Sequence, residues 1–209
     1  FYKLTLTADK KPSDKYYRKL YSEEFPYQVA ENLYLRKDFQ DSILQTIANS
    51  KLLPKKEYKY SDFTFIILKH FIEKSTGKAL DELSEKGFYA KIGATNTLYN
   101  PLKKFDMSVI PPTEEDNYFR YQTIQGYVHD MAAAMEGGVG GHAGIFSNAM
   151  DMAKMMQLFL QKGNYGGLQF FSEETFDVFN TCYYCPEGNR RGIGFDKPQL
   201  GKSGPTCGC

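Results

Sequence analysis

The strongest pattern along the chain lies at 61–77, SDFTFIILKHFIEKSTG, an apolar run broken only by Lys69 and His70 and closed by Gly77. Ser61 and Asp62 both suit a helix N-cap and Gly77 suits a stop, so the run predicts a helix apolar nearly all round, the mark of a buried central helix. Upstream, Phe39, Ile43 and Ile47 recur every four residues and predict a helix from Asp38 onward, with a weaker helical signal at 13–22. Pro54 imposes an extended approach to Tyr60. Beyond Gly77, Leu80 and Leu83 mark a second helix. The polar stretch from Ala94 to Tyr118, with Pro101, Pro111 and Pro112, then reads as a long loop of the kind that carries or covers a site.

In MAAAMEGGVGGHAGIFS, Asp130 precedes an Ala-rich helix that ends at Gly137, and five glycines between Gly137 and Gly144 permit tight turns and close backbone approach. Ser147 is placed to cap a further helix, whose Met152, Met155, Met156 and Phe159 read as a core stripe and whose stop is Gly163. Ser172 begins a short helix. Strand signals are confined to Gly144–Phe146, Leu168–Phe170 and Gly192–Phe195, and no repeat is visible. The pattern therefore predicts a predominantly α chain: a variable helical entry segment over 1–60, a helical lobe with a Gly-rich segment over 61–180, and an irregular Cys-containing tail over 181–209.

Composition removes several classes. With 209 residues the chain can bury a core, and 26 basic against 25 acidic residues leave a charge of +1, without the excess a nucleic-acid binder carries. No apolar stretch reaches the roughly 18 residues of a membrane span, so neither nucleic acid nor a spanning segment is expected. A start at Phe1 is expected of a mature chain or of a piece of something longer. The four cysteines, Cys182 and Cys185 in CYYC and Cys207 and Cys209 in CGC, leave three readings open: disulfides, free thiols, or a four-thiolate zinc site.

Four ordered segments over about 50–195 together resemble the serine beta-lactamase and penicillin-binding-protein superfamily, in its class C-like esterase and peptidase branch. YSD at Tyr60–Asp62 is similar to that family's YxN motif and is followed by EKSTGKALDEL. KIGATNTLYNP resembles a further family loop, and GYVHDMAAAMEGGVGGHAGIFSNAMDMAKMMQLFL resembles its VHD and GHAG segments. GIGF at Gly192–Phe195 suits the strand that leads to the last catalytic motif. The resemblance implies a helical lobe plus part of the α/β domain of a beta-lactamase or transpeptidase-like α+β fold. The chemistry it implies is acyl transfer by a serine nucleophile, activated by a lysine one helical turn later and by the YxN tyrosine.

On that resemblance Tyr60 is the catalytic base, while Asp62, His129 and His142 are substrate-side residues. A phenol titrates near 10, so Tyr60 needs adjacent positive charge to act near neutrality. Among sixteen tyrosines, a packing role at a helix entrance is its competing reading, and a helix cap is that of Asp62. An ionised carboxylate only accepts hydrogen bonds where the family's asparagine also donates, which points away from beta-lactams. His129 and Asp130 suggest metal ligands or an acid–base pair, but adjacent helical residues do not share a face, and no metal or cofactor is expected. His70, within the apolar helix, reads as a satisfied core histidine.

Ser75 and Lys78 in STGK spell SxxK, but they follow Tyr60 where the family order places SxxK before it, and Gly77 breaks their helix. STGK is therefore expected to close the helix, with the nucleophile outside these residues and the isolated chain inactive. Lys202-Ser203-Gly204 superficially fits the last motif, yet Pro205 follows at once. The resemblance further implies small-molecule or peptidoglycan-derived substrates, a bacterial periplasmic or extracellular location, and a fused glycoside hydrolase domain in the intact protein. The rival expectation is a noncatalytic helical binding module, with zinc held by the cysteine tail.

Overall fold

The computed structural model describes residues 1–55 and 58–198, which form two compact units, one of Phe1–Lys91 with Thr95–Asn148 and one of Ile92–Ala94 with the residues from Ala149 onward. In the first, strands β1 (Tyr17–Arg18), β2 (Tyr27–Ala30) and β3 (Leu33–Leu35) make an antiparallel sheet in the order β1-β3-β2. Helix α1 (Phe39–Ala48) follows, with Phe39, Ile43 and Ile47 buried as their spacing predicts. Helix α2 (Phe63–Thr76) ends at Gly77, whose φ of 67° permits its N–H to return to the Glu73 carbonyl at 2.9 Å.

Helix α3 (Leu80–Ser84) widens into a single π-turn over Glu85–Tyr89. Strand β4 (Leu98–Tyr99) pairs with β7 (Ile145–Phe146), and β5 (Pro112–Asp116) with β6 (Gln122–Gln125), both antiparallel. Helix α4 (Met131–Met135) lies between β6 and β7 in the chain, and the Asp130 carboxylate caps it by accepting the Ala133 N–H at 2.8 Å. The core gathers Tyr17, Val29 and Leu35 of the three-stranded sheet, Ile43 of α1, Ile66 of α2, Phe119, and Met135 of α4. Full burial of each such side chain contributes about 1.5–3 kcal/mol.

The hairpin of β5 and β6 is fastened from inside. Arg120 is fully buried and donates to Asp116 Oδ2 at 2.8 Å and to the carbonyls of Val128 and His129 at 2.7 and 2.9 Å. Burial opposes ionisation of Asp116, but the hydrogen bonds from Arg120 and from the Phe119 and Tyr118 amides hold its carboxyl below the usual 3.8.

The second unit contains α5 (Ala149–Leu160), the hairpin β8 (Asn164–Tyr165) and β9 (Leu168–Gln169), and α6 (Glu173–Asn180). Ser172 caps α6 by accepting the Thr175 N–H at 3.1 Å. Phe159, Phe171, Phe176 and Phe195 form its aromatic cluster.

The predominantly α expectation is wrong: six α-helices stand beside nine strands among the described residues, a mixed α+β fold. These strands are two to five residues long, too short to show alternation, and polar ones such as PTEED and QTIQ read as loop. The stretch 13–22 forms turns and β1 instead of a helix, and Gly192–Phe195 is a turn closed by a bond from the Gly192 amide to the Phe195 carbonyl.

Helix α2 is also not the buried element its composition predicts. Only Ile66 and Lys69 are buried, while Phe65, Ile67, Leu68 and Phe71 are exposed. Met152 and Met156 likewise leave the expected core stripe for the surface. No helix among the described residues is long and apolar enough to cross a membrane.

Candidate active site

The site is assembled at the N-terminal end of α2. Ser61 Oγ accepts the Phe63 N–H at 3.3 Å and the Asp62 backbone carbonyl accepts the Phe65 and Ile66 amides, both at 3.0 Å, so the helix starts without the Asp62 side chain. That carboxylate is left for another task. It lies with Asp130 and His142 in a half-buried group whose ligand-type atoms are all within 4.8 Å of one another.

Each partner arrives on a separate element. Asp130 caps α4, and one oxygen, Oδ1, accepts both the Ala133 N–H and the imidazole Nε2 of His142 at 2.9 Å. His142 rides on the glycine turn, which packs directly on α2. A Cβ on Gly141 would collide with the backbone oxygen of Phe65, and Gly144 turns the chain out again at a φ of 118°. The glycines therefore bring a backbone, and with it the imidazole, against the first turn of α2.

Burial works against a charged His142, but the hydrogen bond and charge of Asp130, then Asp62 and Glu136, outweigh it and raise its pKa above 6.5. Burial also works against ionised Asp130, and the bonds from His142 and the Ala133 amide lower its pKa below 3.8. The imidazole side chain is 3% exposed, and Nδ1 has no hydrogen-bond partner.

A second polar group lies one turn further along α2. Lys69 Nζ stands 3.6 Å from Glu136 Oε1, which also meets His70 Nε2 at 3.1 Å, and the Glu136 side chain is fully buried. His70 therefore has a partner, as expected of it, while Lys69 and Glu136 were not singled out from the sequence. The usable signal was a lysine inside an apolar run, a charge that needs a buried counter-ion.

Of the residues named from the sequence, Asp62 and His142 come together. His129 does not join them; its largely exposed ring points to Glu114 Oε2 at 3.3 Å. Tyr60 lies in the non-helical approach to α2 and is 68% exposed. Ser75 sits in the last turn of α2 and Lys78 follows the Gly77 stop, so STGK closes the helix as expected. Cys182 and Cys185 form a disulfide, which removes two of the four thiolates from the zinc reading. Cys207, Cys209 and Lys202-Ser203-Gly204 lie outside the described residues.

Several relatives carry the name "Putative D-alanyl-D-alanine carboxypeptidase". That of Escherichia coli (strain K12) is 39% identical over 140 residues, covering 61% of this chain and 32% of the relative. That of Salmonella enteritidis PT4 is 35% identical over 167 residues, covering 74% and 38%. An N-acetylmuramyl-L-alanine amidase of Bacillus subtilis (strain 168) is 40% identical over 136 residues, covering 59% and 31%. The chain thus spans about a third of the length of these curated relatives. The family model described as Beta-lactamase matches residues 14–205. With nearly the whole length matched, the chain belongs to the Beta-lactamase family.

Proposed function

We propose that the chain is a portion of a serine hydrolase of the beta-lactamase and penicillin-binding-protein type, acting on ester or peptide bonds of cell-wall-derived or related small substrates. The observation that carries this reading is the meeting of Asp62 with Asp130 and His142, which brings the YSD, VHD and GHAG segments to one end of α2. The carboxypeptidase and amidase names of the relatives support a substrate of this class.

In the proposed reaction a serine Oγ outside these residues attacks the carbonyl carbon while its proton passes to a base formed by a lysine and Tyr60. The leaving alcohol or amine takes that proton back, and water then cleaves the acyl-enzyme by the same route. Lys69 is paired with Glu136 Oε1 at 3.6 Å. Asp62 can accept from a substrate N–H but cannot donate to a carbonyl as the family's asparagine does, which weighs against a beta-lactam. We also propose an exported protein, which the Cys182–Cys185 disulfide supports. A fused glycoside hydrolase would act on the same polymer.

The test is hydrolysis of p-nitrophenyl esters, nitrocefin and D-alanyl-D-alanine peptides by the intact protein and by the 209-residue chain. Tyr60→Phe is expected to lower kcat/KM of the intact protein about 10²–10⁴-fold, with Ser75→Ala unchanged and the chain alone inactive. Turnover by the chain alone that Ser75→Ala abolishes would overturn the reading.

A further inference from the structure

The three-stranded sheet of the first unit borders a cleft of about 500 Å³ whose lining includes none of Asp62, Asp130 and His142. That volume lies within the roughly 300–1,000 Å³ of small-molecule sites. Its walls carry four tyrosines, Tyr21, Tyr27, Tyr34 and Tyr127, with the amides of Gln28 and Asn100. Gln28 and Tyr34 are cross-strand partners on β2 and β3. The rings of Tyr21 and Tyr34 meet edge to face, with centroids 6.3 Å apart and planes at 78°, so they present faces in two directions.

The polar atoms of these walls are largely unused. The hydroxyls of Tyr21, Tyr27 and Tyr34 make no hydrogen bond among the described residues. The Tyr127 hydroxyl accepts from Gln28 Nε2 at 2.9 Å, which leaves its own proton and Gln28 Oε1 for a ligand. Burial, then the charges of Glu73, Asp41 and Glu136, raises the pKa of Tyr27, and burial with Glu31 and Tyr34 does the same for Tyr127, so both phenols stay protonated past neutrality. Asn100 Nδ2 donates to the Gly137 carbonyl at 2.9 Å, which fixes that amide and leaves its second N–H. Gly126 and Gly137 both have a φ of 75°, and a Cβ on them would come within 2.7 Å of Leu102 Cγ and 2.9 Å of Tyr27 Cδ1, so neither position accepts a side chain without displacing a wall. Lys103 is the one charged residue of the lining, and its Nζ stands 3.5 Å from Asp81 Oδ2, so the cleft offers no uncompensated cation to a phosphate or carboxylate.

Four phenols and two amides without spare charge select a ligand that is neutral, flat-faced and rich in groups that both donate and accept. A pyranose has C–H faces that lie on aromatic rings and a rim of hydroxyls of that kind. An acetamido group adds one N–H for Gln28 Oε1 and one carbonyl for Asn100 Nδ2. A polyproline segment also lies on aromatic rings, but it has no N–H and leaves Gln28 Oε1 unmet. We propose that this cleft binds a neutral saccharide, an acetamido sugar of a glycan chain. Its role as the seat of the glycan part of the substrate rests on the function proposed above; the binding does not.

The experiment is calorimetry and saturation-transfer NMR of the 209-residue chain with N,N′-diacetylchitobiose, with cellobiose as the matched disaccharide lacking acetamido groups, and with a decaproline peptide. The expected result is one saturable site for diacetylchitobiose, with cellobiose about fivefold weaker. Tyr21→Ala and Tyr127→Phe are each expected to weaken binding about fivefold. Tyr21 is 65% exposed and Tyr127→Phe removes a single oxygen, so both variants stay folded, which circular dichroism checks. Tyr184→Ala, at an exposed tyrosine of the second unit, leaves the affinity unchanged. Absence of saturable sugar binding, equal affinity in Tyr21→Ala, or binding of decaproline alone overturns the site, and equal affinity for cellobiose overturns the acetamido assignment. Sugar binding by a chain whose intact protein hydrolyses nothing keeps the cleft and overturns the function, and hydrolysis without sugar binding does the reverse.

Discussion

Arg120 and Asp116 show what a single buried charge does in this molecule. Breaking a buried pair leaves the partner desolvated, so Arg120→Met is expected to cost about 3–5 kcal/mol in urea unfolding at neutral pH. The pH dependence has a fixed sign. The folded pKa of Asp116 is depressed, so its contribution is present above the ordinary 3.8 and is lost as pH falls through the lower folded value. In Arg120→Met the main downward pull is gone while burial remains. The acid limb of the stability curve, followed by urea unfolding from pH 3 to 7, should therefore move to higher pH.

At the scale of elements, the contact that builds the site is a glycine backbone lying on a helix. Gly141→Ala pushes a methyl against the Phe65 carbonyl and is expected to destabilise by about 1–3 kcal/mol, read as a lower thermal midpoint. Gly87, with open space around it and an ordinary φ, is the control: Gly87→Ala should be neutral or slightly stabilising. Helices were legible where a stripe or a cap was long enough to repeat, as with Phe39, Ile43 and Ile47, or with Asp62 and Gly77 around α2. Strands of two to five residues carry no such repeat, and the sheet content was missed for that reason. Asp62 and His142 were named through motif resemblance, whereas Asp130 was read as a helix cap and weighed as a metal ligand or acid–base partner only together with His129. A carboxylate whose Oδ1 serves a helix and an imidazole at once has no signature in a linear pattern. The Lys69–Glu136 pair, 67 residues apart, is hidden for the same reason.

At the scale of the whole chain, α2 exposes six large apolar side chains, Phe63, Phe65, Ile67, Leu68, Phe71 and Ile72. Phe71 is 65% exposed, with Leu68 and Ile67 near half, a patch of the kind that binds apolar dyes and promotes association. The 209-residue chain should enhance anilinonaphthalene sulfonate fluorescence in its folded state, and Phe71→Ser should reduce that signal without loss of helical circular dichroism. Equal dye fluorescence in the variant would locate the patch elsewhere. The close packing of the glycine turn on α2 bears also on the order of events during folding. Residues 62 and 142 are eighty positions apart, and the entropy of closing that span must be met before their contact rewards it. The helices can form from their own neighbours, but the cluster exists only once the chain between them has found its place. The imidazole of His142 is thus a late witness to folding, silent until the unit is complete.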